Sequence, residues 1–223
     1  MANFGFAIWY DRHKMLLGDK RNYKNFIDGI VHTNYAIVIM SQNSIQSTCV
    51  AEEMDYLRIQ YINGLITIFP IFYQISPSEI PTNYQWLTKL VYKELDDKSG
   101  TILTCNHIIT RILSDELDKC KYRTLNELLN YLEIHNKDQY IKNTLKAYLE
   151  ISGDNHNARI AMIYSMYIYI SSTNDDKGNM FPQYYWKGFN RIFSYTKLNL
   201  ESDLRETLIL ELQIMILINK IYC

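Results

Sequence analysis

The sequence predicts an α/β layered sheet followed by an all-helical half, and three observations carry that prediction. Up to about residue 95, short apolar runs alternate with segments of helical period. Beyond about residue 120 the period is helical without interruption. The composition, 48% hydrophobic and 21% charged over 223 residues, suits a folded globular chain and is too apolar for disorder. Strand–helix alternation is the signature of βαβ units, so the expected domains are 1–120, α/β, and 121–223, helical.

The elements follow in order. Phe4 to Trp9 reads as a strand ending at Tyr10-Asp11, with a polar loop through Gly18-Asp19. Phe26, Ile27, Ile30 and Val31 recur at helical spacing, which predicts an amphipathic helix over 22–33. The run Ala36-Ile37-Val38-Ile39-Met40 is continuous, apolar and rich in β-branched residues, as a strand buried on both faces should be. After the polar connection Ser41–Ser47, the residues Val50, Met54, Leu57 and Tyr61 mark a second helix that Asn63-Gly64 stops. Leu65 to Tyr73 is a third strand, in which Pro70 argues for a bulge or an edge position. Leu103 to Leu117 fits a last helix of the α/β part. Helical period then covers 125–132, 141–149, 158–170, 184–195 and 201–221, the third preceded by the capping stretch Asp154–Asn157. Sheets of this kind bind ligands beyond the carboxyl ends of their strands. Interest therefore falls on Asp11–Asp19, Ser41–Glu53 and Gln74–Trp86.

Charge and cysteine usage exclude several functions. The net charge is −1, and Lys14, Lys20, Arg21 and Lys24 form the densest basic group, read as a solvated face rather than a nucleic-acid stripe. Four cysteines and five histidines lack metal-ligand spacing, so neither a structural metal nor a disulfide framework is expected. The most apolar late stretch, Leu208–Ile221, carries Glu211, Gln213, Asn219 and Lys220 and is too polar to span a bilayer. No secretory leader is recognised ahead of Phe4, and a cytoplasmic location is the expectation.

Three segments resemble TIR (Toll/interleukin-1 receptor) domains of the bacterial type. The first is Ile8-Trp9-Tyr10-Asp11 with Leu16-Leu17-Gly18-Asp19, similar to the family's second strand and the following loop. The second runs from Gly29-Ile30 through Asn34–Ser41 to Ser44, Ser47 and Glu53, and resembles the family pattern S-x-x-[FY]-x-x-S-x-W-C-x-x-E. The third is Ile68–Tyr73 with Ile80-Pro81 and Trp86-Leu87, similar to the fourth strand and its loop. The resemblance implies a flavodoxin-like TIR domain lacking the usual first strand and helix. The absent strand would sit between Phe4–Trp9 and Ala36–Met40, so those two are expected to pair directly or to leave a gap that another chain fills.

The resemblance also implies an activity. Some TIR domains hydrolyse NAD at the nicotinamide–ribose bond, with NAD as substrate and no cofactor. Counting from Cys49, which stands where the family usually has Trp, the catalytic Glu falls at Glu53. Helical geometry agrees: at ~100° per residue Glu53 lies about 60° from Val50, on the flank of the buried stripe, while Glu52 points away from it. A carboxylate beside the ribose stabilises developing oxocarbenium charge or positions the ribose hydroxyls. A helix-dipole role for Glu53 is the plain alternative. Implied substrate contacts are Asp11, Gly18, Asp19, Ser47 and Cys49. Expected partners are NAD and, through TIR–TIR contacts of the Arg12–Asp19 loop, a second copy, in bacterial antiviral defence signalling. Neither nucleic acid nor membrane is expected. A non-catalytic interaction module and an inactive truncated fragment are the other readings.

Overall fold

The computed structural model describes residues 1–10, 16–20, 29–98, 100–173, 187–192, 194 and 204–223. The chain divides into two compact units, Ile8–Thr104 and a second made of Met1–Ala7 with Cys105–Cys223.

The first unit is built on three parallel strands in the order β1 (Tyr35–Met40), β2 (Thr67–Tyr73), β3 (Lys93–Leu95). Between β1 and β2 the chain makes a short helix α1 (Gln42–Ile45) and a long one, α2 (Thr48–Ile62). Asn63 and Gly64 close α2: Asn63 N–H donates to Ile59 O, and Gly64 takes a φ of 68° that favours glycine. Pleating sends Val38 and Met40 to one side of β1, and both are buried in one core with Ile68 and Phe72 of β2 and with Met54 and Leu57 of α2.

The opposite side of β1 differs from the expectation of two buried faces, since Ile37 is 41% and Ile39 58% exposed. An apolar run is compatible with double burial but does not supply the covering element, and among the described residues none seals this face. Pro70 also departs from its expected edge or bulge, because β2 is the central strand with Val38 opposite Pro70 in unbroken register. The reason lies in the alternation of the ladder. Thr67 N–H donates to Asn34 O on the β1 side and Gln74 N–H to Leu95 O on the β3 side. Pro70 shares the parity of Gln74, and its missing N–H faces a stretch that β3, pairing only from Ile71 onward, does not reach. The three residues of β3 carry no apolar run, which is why periodicity passed over them.

The expected strand Phe4–Trp9 is not formed. Ala2–Phe4 is a single 3-10 turn, Gly5 follows it with φ 85°, and residues 6–10 carry no strand pairing. An apolar run need not become a strand if its side chains find cover elsewhere. Phe4, 4% exposed, joins the core of the second unit instead, and Arg191 stacks over its ring. The expected pairing of Phe4–Trp9 with the Ala36–Met40 strand is therefore absent, and β1 is an edge of the sheet among the described residues. Trp9 instead lays its ring against Gly29, where a Cβ would come within 3.0 Å of ring carbons. Of the expected helix at 22–33, residues 29–31 are helical and the earlier part lies outside the described residues.

Described elements beyond Leu95 are helical: α3 (Thr101–Leu117), α4 (Leu125–Ile134), α5 (Gln139–Glu150), α6 (His156–Thr173), residues 187–192, and α7 (Leu204–Tyr222). Thr124 and Glu127 make a capping box for α4, and Asp138 caps α5 by accepting from Ile141 N–H. Ile109, Leu113 and Leu117 of α3 are buried with Leu128, Leu145, Ile163 and Ile214. The compact units thus part at 104/105, where the sequence suggested a boundary at 120. The period of α3 shows that one face is apolar, not which core receives it. No helix among the described residues is long and apolar enough to cross a membrane.

Candidate active site

The carboxyl ends of the three strands lead into three polar connections, and local capping shapes the first two. After β1, Ser41 and Ser44 form a capping box for α1, with Ser41 N–H donating to Ser44 Oγ at 2.6 Å and Ser44 N–H to Ser41 Oγ at 3.3 Å. Ser47 then caps α2, its hydroxyl accepting from Val50 N–H at 3.4 Å. Two serine-capped helix starts in succession present backbone N–H groups at this end of the sheet, where the helix dipole favours negative charge.

After β2, Ser76 and Glu79 form a second capping box around the turn Pro77–Glu79. Glu79 accepts from Ser76 N–H and Ser76 Oγ–H, both at 2.8 Å, and from Gln42 Nε2–H at 3.1 Å. The last bond ties the β2 connection to α1. Donation from the Ser76 backbone, then from its hydroxyl, holds the Glu79 carboxyl below the usual carboxylate range. At the end of β2, Gln74 adopts φ 53°, a left-handed conformation unusual outside glycine. It is held there by its N–H bond to Leu95 O and by its Nε2–H bond to Asp97 Oδ2, each 2.9 Å. Tyr73 donates its phenol to the other oxygen of Asp97, and that bond raises the Tyr73 pKa.

The sequence-derived site residues fall into two groups. Ser47, Cys49 and Glu53 lie together at the start of α2, with Cys49 and Glu53 four residues apart on one helical face. Glu53 is half-buried and Glu52 exposed, as the helical-face reasoning requires. Gly18 and Asp19 are both exposed and make a tight turn. In it Leu16 N–H donates to Asp19 Oδ2 at 2.9 Å, Asp19 N–H donates to Leu16 O at 3.0 Å, and Gly18 takes φ 96°. Asp11 lies outside the described residues. Trp86 and Leu87 serve packing: Leu87 is fully buried, while Trp86 stacks on Tyr61 of α2 with centroids 5.7 Å apart and Arg58 lies over its ring at 6.0 Å. Sequence reasoning missed Gln42 and Asp97, which join the three connections. Their signal is weak, a single amide and an Asp-Asp pair after an unremarkable strand. Among the described residues no group of three or more His, Cys, Asp or Glu is placed to hold a metal ion.

A parallel sheet with helices in its connections makes the first unit an α/β domain. Comparison with known proteins sharpens this. Over 81 residues in its N-terminal part the chain is 32% identical to the 2' cyclic ADP-D-ribose synthase BtTIR of Bacteroides thetaiotaomicron, a match covering 36% of this chain and 28% of that protein. It is 28% identical over 78 residues to the NAD(+) hydrolase TcpA of a Theionarchaea archaeon, covering 34% of this chain and 23% of the relative. It is also 28% identical over 81 residues to the 2' cyclic ADP-D-ribose synthase AbTIR of Acinetobacter baumannii, covering 36% and 29%. Over its N-terminal part the chain matches several TIR-domain proteins of the bacterial type at about 30% identity. The matches thus span under a third of these relatives' own lengths. No family model matches the chain, and no solved structure does.

Proposed function

We propose that this chain cleaves NAD at the bond between nicotinamide and ribose, with Glu53 as the catalytic carboxylate. The observation that carries the reading is the placement of Glu53. It is half-buried in the second turn of a serine-capped helix that follows the carboxyl end of β1. The matched relatives bear the names NAD(+) hydrolase and 2' cyclic ADP-D-ribose synthase. As the glycosidic bond breaks, nicotinamide departs with the bonding electron pair and the ribose carbon gains oxocarbenium character. A fixed, partly desolvated carboxylate stabilises that charge more than water does. An oxygen nucleophile then bonds to the ribose carbon and gives up its proton, either water or a hydroxyl of the same molecule. Ser47, Cys49, Gly18, Asp19 and Asp11 are proposed to line the substrate, with the N–H groups at the α1 and α2 starts favouring its diphosphate. In the same reading the domain is flavodoxin-like, the helical part is a bundle serving assembly or sensing, and the protein acts in the cytoplasm in antiviral defence.

The test is incubation with NAD while following nicotinamide release. Glu53→Gln should lower the rate at least 100-fold, an effect of the size that removing one transition-state stabiliser produces, while Glu52→Gln keeps most of it. A dead Glu52→Gln with an active Glu53→Gln, both folded, would overturn the assignment.

One observation favours a second reading, a TIR–TIR interaction module. Leu16 and Leu17, at 76% and 109% exposure, place two large apolar side chains in solvent on the tight turn that Gly18 and Asp19 complete. Leu17→Glu should then abolish concentration-dependent association in sedimentation without unfolding the chain.

A further inference from the structure

We infer that Cys120 and Cys223 are a redox-closable pair, forming one disulfide latch between the end of α3 and the last turn of α7. Three contacts fasten the two segments that bear them, two from Asn219 and one from Lys220. Asn219 clamps the backbone of Tyr122 from both sides, accepting from its N–H at 3.1 Å and donating to its carbonyl at 2.8 Å. Lys220 Nζ reaches Glu116 Oε1 at 2.6 Å, and Cys120 Sγ–H points to Glu116 O at 3.7 Å. Cys223 sits one helical turn beyond Asn219, with its N–H on Asn219 O at 3.2 Å. Cys120 lies two residues before Tyr122. Both cysteines are free thiols, Cys223 exposed and Cys120 partly buried. The Asn219 clamp and the Lys220–Glu116 pair hold the two cysteine-bearing segments side by side. The other two cysteines are elsewhere, Cys49 in the first unit and Cys105 beside the Met1 amino group.

The chemistry assigns an order to the two sulfurs. The exposed Cys223 thiolate attacks a peroxide oxygen, the O–O bond breaks, and one water leaves as Cys223 becomes a sulfenic acid. The Cys120 thiolate attacks that sulfur, the S–O bond breaks, and a second water leaves as the S–S bond forms. Two thiols and one hydrogen peroxide thus give one disulfide and two waters. Burial raises both thiol pKa values, at Cys223 against the pull of Lys121 and Lys137 and at Cys120 against that of Lys220. Closure is therefore slow at neutral pH and quickens as pH rises, because the thiolate is the nucleophile.

The experiment treats the whole chain with hydrogen peroxide, or with dithiothreitol, then alkylates, digests and maps the peptides by mass. A Cys120–Cys223 linked peptide, lighter by two hydrogens and formed faster at higher pH, is the expected product. A loop of about 100 residues closed by a disulfide should raise Tm by on the order of 10 °C, reversibly with dithiothreitol. Cys120→Ser and Cys223→Ser should each remove that rise while leaving the reduced protein's circular dichroism unchanged. Full alkylation of both thiols after peroxide, sulfinic acid at either, or dimers linked between chains would overturn the latch.

Discussion

Asn219→Ala tests the packing of the helical unit most directly. Asn219 is 8% exposed and spends its whole amide on backbone groups: Tyr122 N–H at 3.1 Å, Tyr122 O at 2.8 Å and Met215 O at 3.0 Å. Met215 O also belongs to the α7 helix ladder, so its loss costs little. The Tyr122 pair is different, because the segment between α3 and α4 has no helix to satisfy it. Each polar group left without a partner costs about 1–3 kcal/mol when buried. Tyr122 is half-buried, which puts the two groups near the lower end, about 2–3 kcal/mol together. For a unit of this size the fall in Tm should be on the order of 10 °C. The assay is urea unfolding followed by far-ultraviolet circular dichroism, with the midpoint falling at constant m-value. Asn219→Asp separates the two halves of the clamp. It keeps the acceptor for Tyr122 N–H but sets a carboxylate against two carbonyl oxygens, so it should be worse than alanine. An alanine variant within 0.5 kcal/mol of the parent, or an aspartate variant more stable than alanine, would refute the clamp.

Two further changes follow the same reasoning. Glu211 accepts from Arg159 at 2.6 Å and from the Tyr148 hydroxyl, with the Arg159 and Glu211 side chains 18% and 20% exposed. Glu211→Leu should cost about 3 kcal/mol by stranding Arg159, and the double variant with Arg159→Leu should recover much of that loss in chemical denaturation. Gly29→Ala pushes a methyl against the Trp9 ring 3.0 Å away. It should destabilise the first unit by about 1–3 kcal/mol and shift the emission maximum or intensity of tryptophan fluorescence. An unchanged spectrum and midpoint would mean that the ring moves aside freely.

Much of the first unit was legible in the sequence because its signals are local. The β-branched run at 36–40, the helical stripe from Val50 to Leu57 and the Asn63-Gly64 stop each depend on neighbours within a few residues. The structure places β1 and α2 almost where those signals fall. The contrast between Glu53 and Glu52 was legible for the same reason, since a fixed angle per residue turns a stripe into a face. Pro70 was misread because a ladder's tolerance for a missing N–H depends on which strand lies opposite, and where that strand begins.

By itself, then, the sequence determined β1, α2 and β2 and the helical period of the later half, carried the likeness of its N-terminal part to TIR domains, and singled out Glu53 as the carboxylate to test. Only the tertiary structure decided that Phe4 leaves the sheet for the helical core, that α3 packs with the helices, and that β1 ends as an edge among the described residues. It also brought Gln42 to Glu79, Gln74 to Asp97, and the Cys120 segment to the last turn of α7. The physical reason is shared. Hydrophobic burial has no direction and accepts any cover of suitable shape, and polar contacts across tens of residues leave no periodic trace in the sequence.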